Sequence, residues 1–326
     1  MSLAAPPPVL QVADRDVHPN DGEPVGVRTH RVLTALPTAV LWALVVLWTI
    51  PSIGLLVTSF RPGSDQFDSG WWTTITNPSF TLSNYSDALF DPPGGSVPFT
   101  DALINSLAIA IPGTVVPIAI ACAAAYAFAW MDFRGRHWLF IAVLAMMAVP
   151  IQMSLVPLQQ LYSGGAHLTL FGTTFIVFPD LNLNNKPIAV WLAHTAFGLP
   201  LAIYLLHNYI AGLPKDVFEA ARIDGANHFG IFWRIVLPLA KPAIAAFAIF
   251  QFLWVWNDYL VALIFLSQNK EASPLTVQLV NLVTSRGQGT ELLPAAAFIS
   301  MVVPLIIFFS LQRYFVRGLL AGSVKG

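Results

Sequence analysis

Residues 213–238 read Leu-Pro-Lys-Asp-Val-Phe-Glu-Ala-Ala-Arg-Ile-Asp-Gly-Ala-Asn-His-Phe-Gly-Ile-Phe-Trp-Arg-Ile-Val-Leu-Pro, and they form the densest polar stretch between two long apolar runs. The stretch is far longer than a helical hairpin needs. Pro214 suits a first helical turn, and the Asp216 and Glu219 carboxylates sit well near a helix N-terminus. Val217, Phe218 and Ala221, then Phe229, Phe232 and Trp233, give helical apolar spacing on two short segments. Gly225 lets the chain turn between them, and small Ala220 and Ala221 let another surface approach closely. Periodicity leaves two readings open: an amphipathic element built to dock into a partner, or a loop helix that packs on its own bundle.

The rest of the chain says what this stretch is attached to. Of 326 residues, 56% are hydrophobic and only 10% charged, against roughly 25% charged in an ordinary soluble domain. The mean hydropathy is +0.67. A formal net charge of −1 gives no basic footprint for nucleic acid. The single cysteine, Cys122, excludes a disulfide framework and any multi-cysteine metal site. What remains is an all-helical polytopic membrane protein.

A crossing helix needs about 20 mostly apolar residues, and the charges mark the candidates. No Asp, Glu, Lys or Arg falls between Arg31 and Arg61, Asp101 and Asp132, Arg136 and Asp180, Lys186 and Lys215, Asp258 and Lys270, or Glu291 and Arg313. Six spans are predicted, at about 33–59, 103–130, 138–162, 187–211, 242–266 and 294–315. The fifth carries one carboxylate, Asp258. The third window is too long for one span; its tail turns at Ser163-Gly164-Gly165, and Leu170–Pro179 reads as a re-entrant or interfacial piece.

Cytoplasmic loops keep the positive charge. With both ends inside, twelve of the sixteen basic residues face the cytoplasm, and only Arg61, Lys186, Lys270 and Arg286 lie outside. The predicted topology is therefore N-in and C-in, with residues 213–241 as an internal loop. Residues 1–30 are polar and without periodicity and read as a disordered cytoplasmic arm, not a signal peptide. Trp71, Trp72 and Tyr85 in the first outer loop suit interfacial anchors or an external partner.

Residues 219–238 contain Glu219-Ala220-Ala221, then after three residues Gly225, after nine Ile235, and after one Leu237-Pro238. This resembles the EAA loop of the membrane subunits of binding-protein-dependent ABC importers, with every spacing met. The likeness extends over about 33–326. Asn105-Ser106, Ala124-Ala125-Tyr126-Ala127, Phe133-Arg134-Gly135-Arg136 and Trp256-Asn257-Asp258 look like its carbohydrate branch. Tyr314–Gly318 and the tail Gly322, Ser323, Val324, Lys325 and Gly326 are similar to the second, G-type subunit of maltose and α-glucoside importers.

The resemblance implies a type I ABC importer permease fold in residues 31–326, placed in the cytoplasmic (inner) membrane. It implies that residues 219–238 are a coupling helix and its flank, that Glu219 pairs with a basic group on a partner ATPase, and that the tail reaches towards that ATPase dimer. The other implied partners are a second homologous permease, an external solute-binding protein, a sugar substrate such as an α-glucoside, and membrane lipid. No cofactor is expected on this chain; ATP and Mg belong to the partner. Closure of the ATPase dimer around ATP would switch the pathway from inward- to outward-facing through this loop.

Asp258 is the one acid inside an apolar run, which by default marks a functional site. It lies about 17 residues past Lys241, roughly 25 Å along a helix and so in the outer part of the span. With Trp254, Trp256 and Asn257 it makes a candidate substrate pathway, because sugars stack on aromatic faces and hydrogen-bond to amides and carboxylates. The alternative is that Asn257 and Asp258 bond to neighbouring helices. Gln152, Gln159, Gln160, Asn208 and Tyr209 pose the same choice less sharply, and His194 and His207 read as polar contacts within the bundle. Pro112, Pro117, Pro150 and Pro157 mark kinks or interruptions.

The chain contains no Gly-x-x-x-x-Gly-Lys-Ser/Thr loop, no histidine pair at metal spacing and no nucleophile motif. It therefore reads as a transport subunit rather than an enzyme. Two rivals stay open. One is an ion-coupled secondary transporter using Asp258, although no internal repeat of the kind such folds carry is found. The other is a permease of the same family for a non-sugar solute. An anionic solute would want a basic group in the pathway, and the predicted spans hold no Lys or Arg apart from Arg313 at the cytoplasmic end of the sixth.

Overall fold

The computed structural model describes residues 38–93, 97–171, 173–267, 269–284 and 289–323, with side chains as far as residue 312. The predicted arm 1–30 and the tail residues Val324, Lys325 and Gly326 lie outside these residues. Gly322 and Ser323 lie within them as helical backbone only. The chain forms two compact units, Met1–Gly54 and Leu55–Gly326. The described part of the first is the start of one apolar helix, Thr38–Ser59.

Among the described residues, five helices are long and apolar enough to cross a membrane: Val40–Ser59, Phe99–Trp130, Pro187–Ala211, His228–Trp256 and Thr290–Gln312. A bent pair, Arg136–Met146 and Ile151–Gly164, inclined by 105°, is long and apolar enough for a sixth when its halves are taken together as one span. This differs from the single third helix expected over 138–162. Pro150 is the cause: it has no N–H to continue the helix and stands as the cap residue of the second half.

The second and fourth spans, Phe99–Trp130 and Pro187–Ala211, form the centre of the larger unit. Their meeting faces are small: Ala102, Ala110, Ala121, Ala125, Ala189, Ala193 and Ala202 are fully buried. Small side chains let apolar helices come together where lipid removes the hydrophobic drive. The buried core divides into two clusters along the bundle. One gathers around Phe99, Ile109, Val190, Phe252 and Trp256. The other gathers around Tyr126, Leu206, Ile210, Phe218 and Phe247.

The fifth span differs from the expected helix over 242–266 at both ends. It begins at His228, so Ile235, Leu237 and Pro238 belong to the span's own helix rather than to a loop. It passes through a wide π turn at Phe232–Val236, where the Leu237 N–H reaches back to the Phe232 carbonyl. Pro238 follows at once, and a wider turn relieves the clash of its ring with the preceding turn. The span ends at Trp256, and a short helix, Leu260–Phe265, resumes after the break.

Residues expected to form a re-entrant or interfacial piece instead make an antiparallel hairpin, Ala166–Leu170 with Thr173–Phe178. Its β-branched content (Thr169, Thr173, Thr174, Ile176, Val177) favours strand, and the Thr169 and Thr174 hydroxyls bond across it at 3.0 Å. Gly165 precedes it at φ +65°, where a Cβ would lie 2.5 Å from the Phe178 carbonyl oxygen.

The segment after the first span is built on Arg61. Its buried guanidinium donates to the Asp65 carbonyl at 2.8 Å and to the Ser69 carbonyl at 2.9 Å. Asn84, also buried, donates to the Ser59 and Arg61 carbonyls. Trp71 and Trp72 lie edge to face, with Trp72 exposed.

Candidate functional site: a docking helix and a membrane cavity

Lys215–Ile223 is a helix with one buried edge, Phe218 and Ala221. Phe218 stacks on Trp130 at the end of the second span, with ring centroids 3.8 Å apart. The Trp130 indole N–H donates to the Ile210 carbonyl at the end of the fourth span, at 3.0 Å. The helix is thereby fixed to the ends of two spans at once. Its opposite edge is open: Glu219 and Ala220 are exposed, and Ile223 is 86% exposed.

The helix ends in a tight reversal. The Ala226 N–H bonds to the Ala221 carbonyl and the Gly225 N–H to the Arg222 carbonyl, with Gly225 at φ +79°. This is the Schellman pattern, with glycine in the left-handed position. The Asn227 side chain then accepts from the Gly230 N–H at 2.8 Å and starts the fifth span. The Tyr126 hydroxyl and His228 Nδ1, 2.8 Å apart, tie that start to the second span. Phe229 and Trp233 are exposed beside it. Ile235 and Leu237 are half-buried and Pro238 is exposed.

The spans carry prolines, and each proline in a helix leaves the carbonyl four residues earlier without its usual donor. Three such carbonyls are met by side chains from neighbouring helices. Pro112 frees Ala108, which accepts from the Trp191 indole at 2.9 Å. Pro117 frees Gly113, which accepts from Gln251 Nε2 at 3.1 Å. Pro304 frees Ser300, which accepts from the Trp256 indole at 3.1 Å.

Trp256 is therefore a buried core residue, stacked on Phe252, and it leaves the expected pathway group. Asn257 is exposed and its amide donates to its own helix, at the Leu253 carbonyl. Asp258 caps the next helix. Its carboxylate accepts from the Val261 and Ala262 N–H groups at 3.4 and 3.1 Å, and its carbonyl accepts from the Thr276 hydroxyl at 2.7 Å. The carboxylate faces His194 of the fourth span at 3.7 Å. Gln159 donates to the Ile264 carbonyl, and Tyr209 to the Leu239 carbonyl.

Of the four expected pathway residues, Trp254 lines a large cavity. That cavity, of about 490 Å³, lies between the third, fourth and fifth spans, against Phe197, Leu201, Phe247, Phe250, Gln251 and Trp254. A neighbouring one of about 790 Å³ follows the bend of the third span, against Met147, Met153, Leu158, Phe197 and Leu201. Among the described lining residues of both, none carries an ionisable side chain. Gln251, Phe197 and Phe250 were missed in the sequence because nothing in a single apolar run shows which face meets a cavity. Gly198 makes room for Gln251: a Cβ there would lie 2.7 Å from the amide oxygen.

A bent pair of helices, an amphipathic helix fixed to the ends of two spans and an apolar cavity among the spans describe a multi-span helical membrane protein. The profile described as "Binding-protein-dependent transport system inner membrane component" matches residues 115–320, and the chain belongs to that family. It is 54% identical over 283 residues to the osmoprotective compounds uptake permease GgtD of Synechocystis, covering 86% of this chain and 88% of that one. It is 52% identical over 275 residues to the alpha-glucoside transport system permease AglG of Rhizobium meliloti, covering 82% and 68%. Among solved structures it resembles a chain of a bacterial ABC transporter that imports the acidic polysaccharide alginate, at a TM-score of 0.65 and 22% identity, covering 90% of this chain and all of that one. That likeness is one of fold.

Proposed function

We propose that this chain is a transmembrane subunit of an ATP-driven importer for a neutral sugar or sugar-like solute, with α-glucosides as the first class to test. The observation that carries the solute class is the cavity wall: mostly apolar and aromatic groups with one amide, Gln251, one hydroxyl, Ser154, and no ionisable side chain among the described lining residues. Aromatic faces accept the apolar face of a sugar ring, and an amide serves its hydroxyls. The alpha-glucoside permease named among the relatives agrees with this choice.

In this reading Trp254 and Gln251 form part of the pathway wall. Glu219, Ala220 and Ile223, with Phe229 and Trp233, form the surface seated in a partner ATPase that holds the ATP and Mg. The end of the bundle bearing this surface also bears Arg134, Arg136, Lys215, Arg222 and Arg234, which supports a cytoplasmic position for it. A second permease, an ATPase dimer and an external binding protein complete the machine. Membership of the family disposes of the secondary-transporter reading, and the His194-facing, helix-capping Asp258 supplies that reading with no pathway carboxylate.

The test is uptake into proteoliposomes holding the assembled importer and its binding protein. Neutral α-glucosides should accumulate only with ATP inside. Equal uptake of a uronate analogue would overturn the neutral-solute reading.

A further inference from the structure

His194 is the buried polar group that the proposed function leaves unexplained. Its imidazole is fully enclosed, and among the described residues neither ring nitrogen has a hydrogen-bond partner. A neutral imidazole carries one donor and one acceptor, and orphaned buried groups of this kind are rare enough to need a reason. The Trp254 ring lies perpendicular to the imidazole, with centroids 5.2 Å apart. The nearest partner is Asp258, whose Oδ2 lies 3.7 Å from Nε2. That is too long for a direct bond, and it is the kind of gap in which a bridging water is expected.

Beside this pair lies a cavity of about 10 Å³, lined by Ser106, Val190, His194, Trp256, Asp258 and Ala262 among others. Its size is about that of one water. Three polar groups face it. Asp258 receives one backbone N–H on each carboxylate oxygen and keeps lone pairs on both. Ser106 accepts from the Leu275 N–H at 2.8 Å, so its hydroxyl hydrogen is free to be given elsewhere. His194 Nδ1 has no partner, and an unpartnered acceptor is tolerated more readily than an unpartnered donor. This assigns the ring proton to Nε2, on the side of Asp258.

We propose that this cavity is a binding site for a single water molecule. It accepts from His194 Nε2–H and from the Ser106 hydroxyl and donates to the Asp258 carboxylate. The bound water joins three elements: the second span through Ser106, the fourth through His194, and the break in the fifth through Asp258. On its other side that break is held by the Thr276 hydroxyl at the Asp258 carbonyl. The site stands whatever solute the importer carries.

X-ray radiolytic footprinting of the assembled importer tests it, because a bound water generates hydroxyl radical where bulk solvent does not reach. His194 should be oxidised despite its burial. After rapid mixing into H₂¹⁸O it should take up ¹⁸O later than exposed His137. Ala262→Val, which fills the cavity, should abolish His194 oxidation and leave His137 unchanged. An unmodified His194 in the wild type would overturn the proposal, and so would immediate ¹⁸O uptake there. Oxidation that persists in A262V would do the same.

Discussion

The Trp130 and Phe218 rings stack with centroids 3.8 Å apart and planes inclined by 13°, and this contact joins the second span to the docking helix. Phe218 is 1% exposed. A push on the exposed edge of the helix would thus reach the spans through packed rings rather than through a slack loop. Replacing a buried phenylalanine by alanine typically costs ~3–5 kcal/mol. Phe218→Ala should therefore release the helix from the bundle while the spans stay assembled. The expected outcome is ATP hydrolysis in the assembled importer with little or no uptake; uptake at the wild-type ratio to hydrolysis would show that the stack transmits nothing.

Gly225 makes a separable prediction. Its φ is +79°, yet a Cβ would meet nothing within 4 Å. Substitution is penalised by backbone strain alone, about 1–2 kcal/mol for an ordinary residue in the left-handed region. Asparagine tolerates that region better than valine, so uptake should fall in the order Gly, Asn, Ala, Val at equal membrane abundance. An order following side-chain volume, with Ala above Asn, would point to a steric contact with the partner instead.

The proline-freed carbonyls predict a recovery. Trp256→Phe removes the indole donor and leaves the Ser300 carbonyl without it, at a cost of about 1–3 kcal/mol for an unmet buried group. Adding Pro304→Ala restores a backbone N–H at the right place. W256F should lower the thermal midpoint of the purified importer. P304A should recover part of that loss in the W256F background and gain less on its own. Strictly additive effects would break the proposed link between this proline and this tryptophan.

Much of this architecture was readable from charge spacing because membrane helices tolerate few charges. Lys186 followed by Pro187, and Gly212 after Ala211, bracket the fourth span where the helix runs. The interruptions were not readable in the same way. Hydropathy continues across Asp258 into Leu260–Phe265, so the break leaves no mark except the carboxylate that caps the second piece. Pro150 was visible, but the 105° angle between the two halves was not. Trp256 looked like a sugar platform because its partner, the Ser300 carbonyl, lies 44 residues away and is free only through Pro304. In the stretch from Glu219 to Pro238, the spacing did not show that Ile235, Leu237 and Pro238 belong to the fifth span. Only the packing shows that Ala221 faces the bundle while Ala220 faces out.

Asp258 offers a test of capping against charge. Asn keeps a side-chain acceptor for the N–H groups of Val261 and Ala262, and Ala removes it. Losing such a cap costs about 0.5–2 kcal/mol. Asp258→Ala should lower the thermal midpoint and uptake, and Asp258→Asn should retain most of both. If Asn proves as harmful as Ala, the charge itself matters, and a role in moving solute or ions returns to consideration.

Site-directed cross-linking shows whether the exposed edge of Lys215–Ile223 seats in a partner ATPase. Ala220 is exposed on that edge, and the native Cys122 is buried and gives little background. With Ala220→Cys in the assembled importer, a short thiol-to-amine cross-linker should join the two subunits, with a yield that changes when ATP is bound. Phe175→Cys, on the exposed hairpin, should give no such product. A cross-link from position 175 and none from 220 would contradict the account.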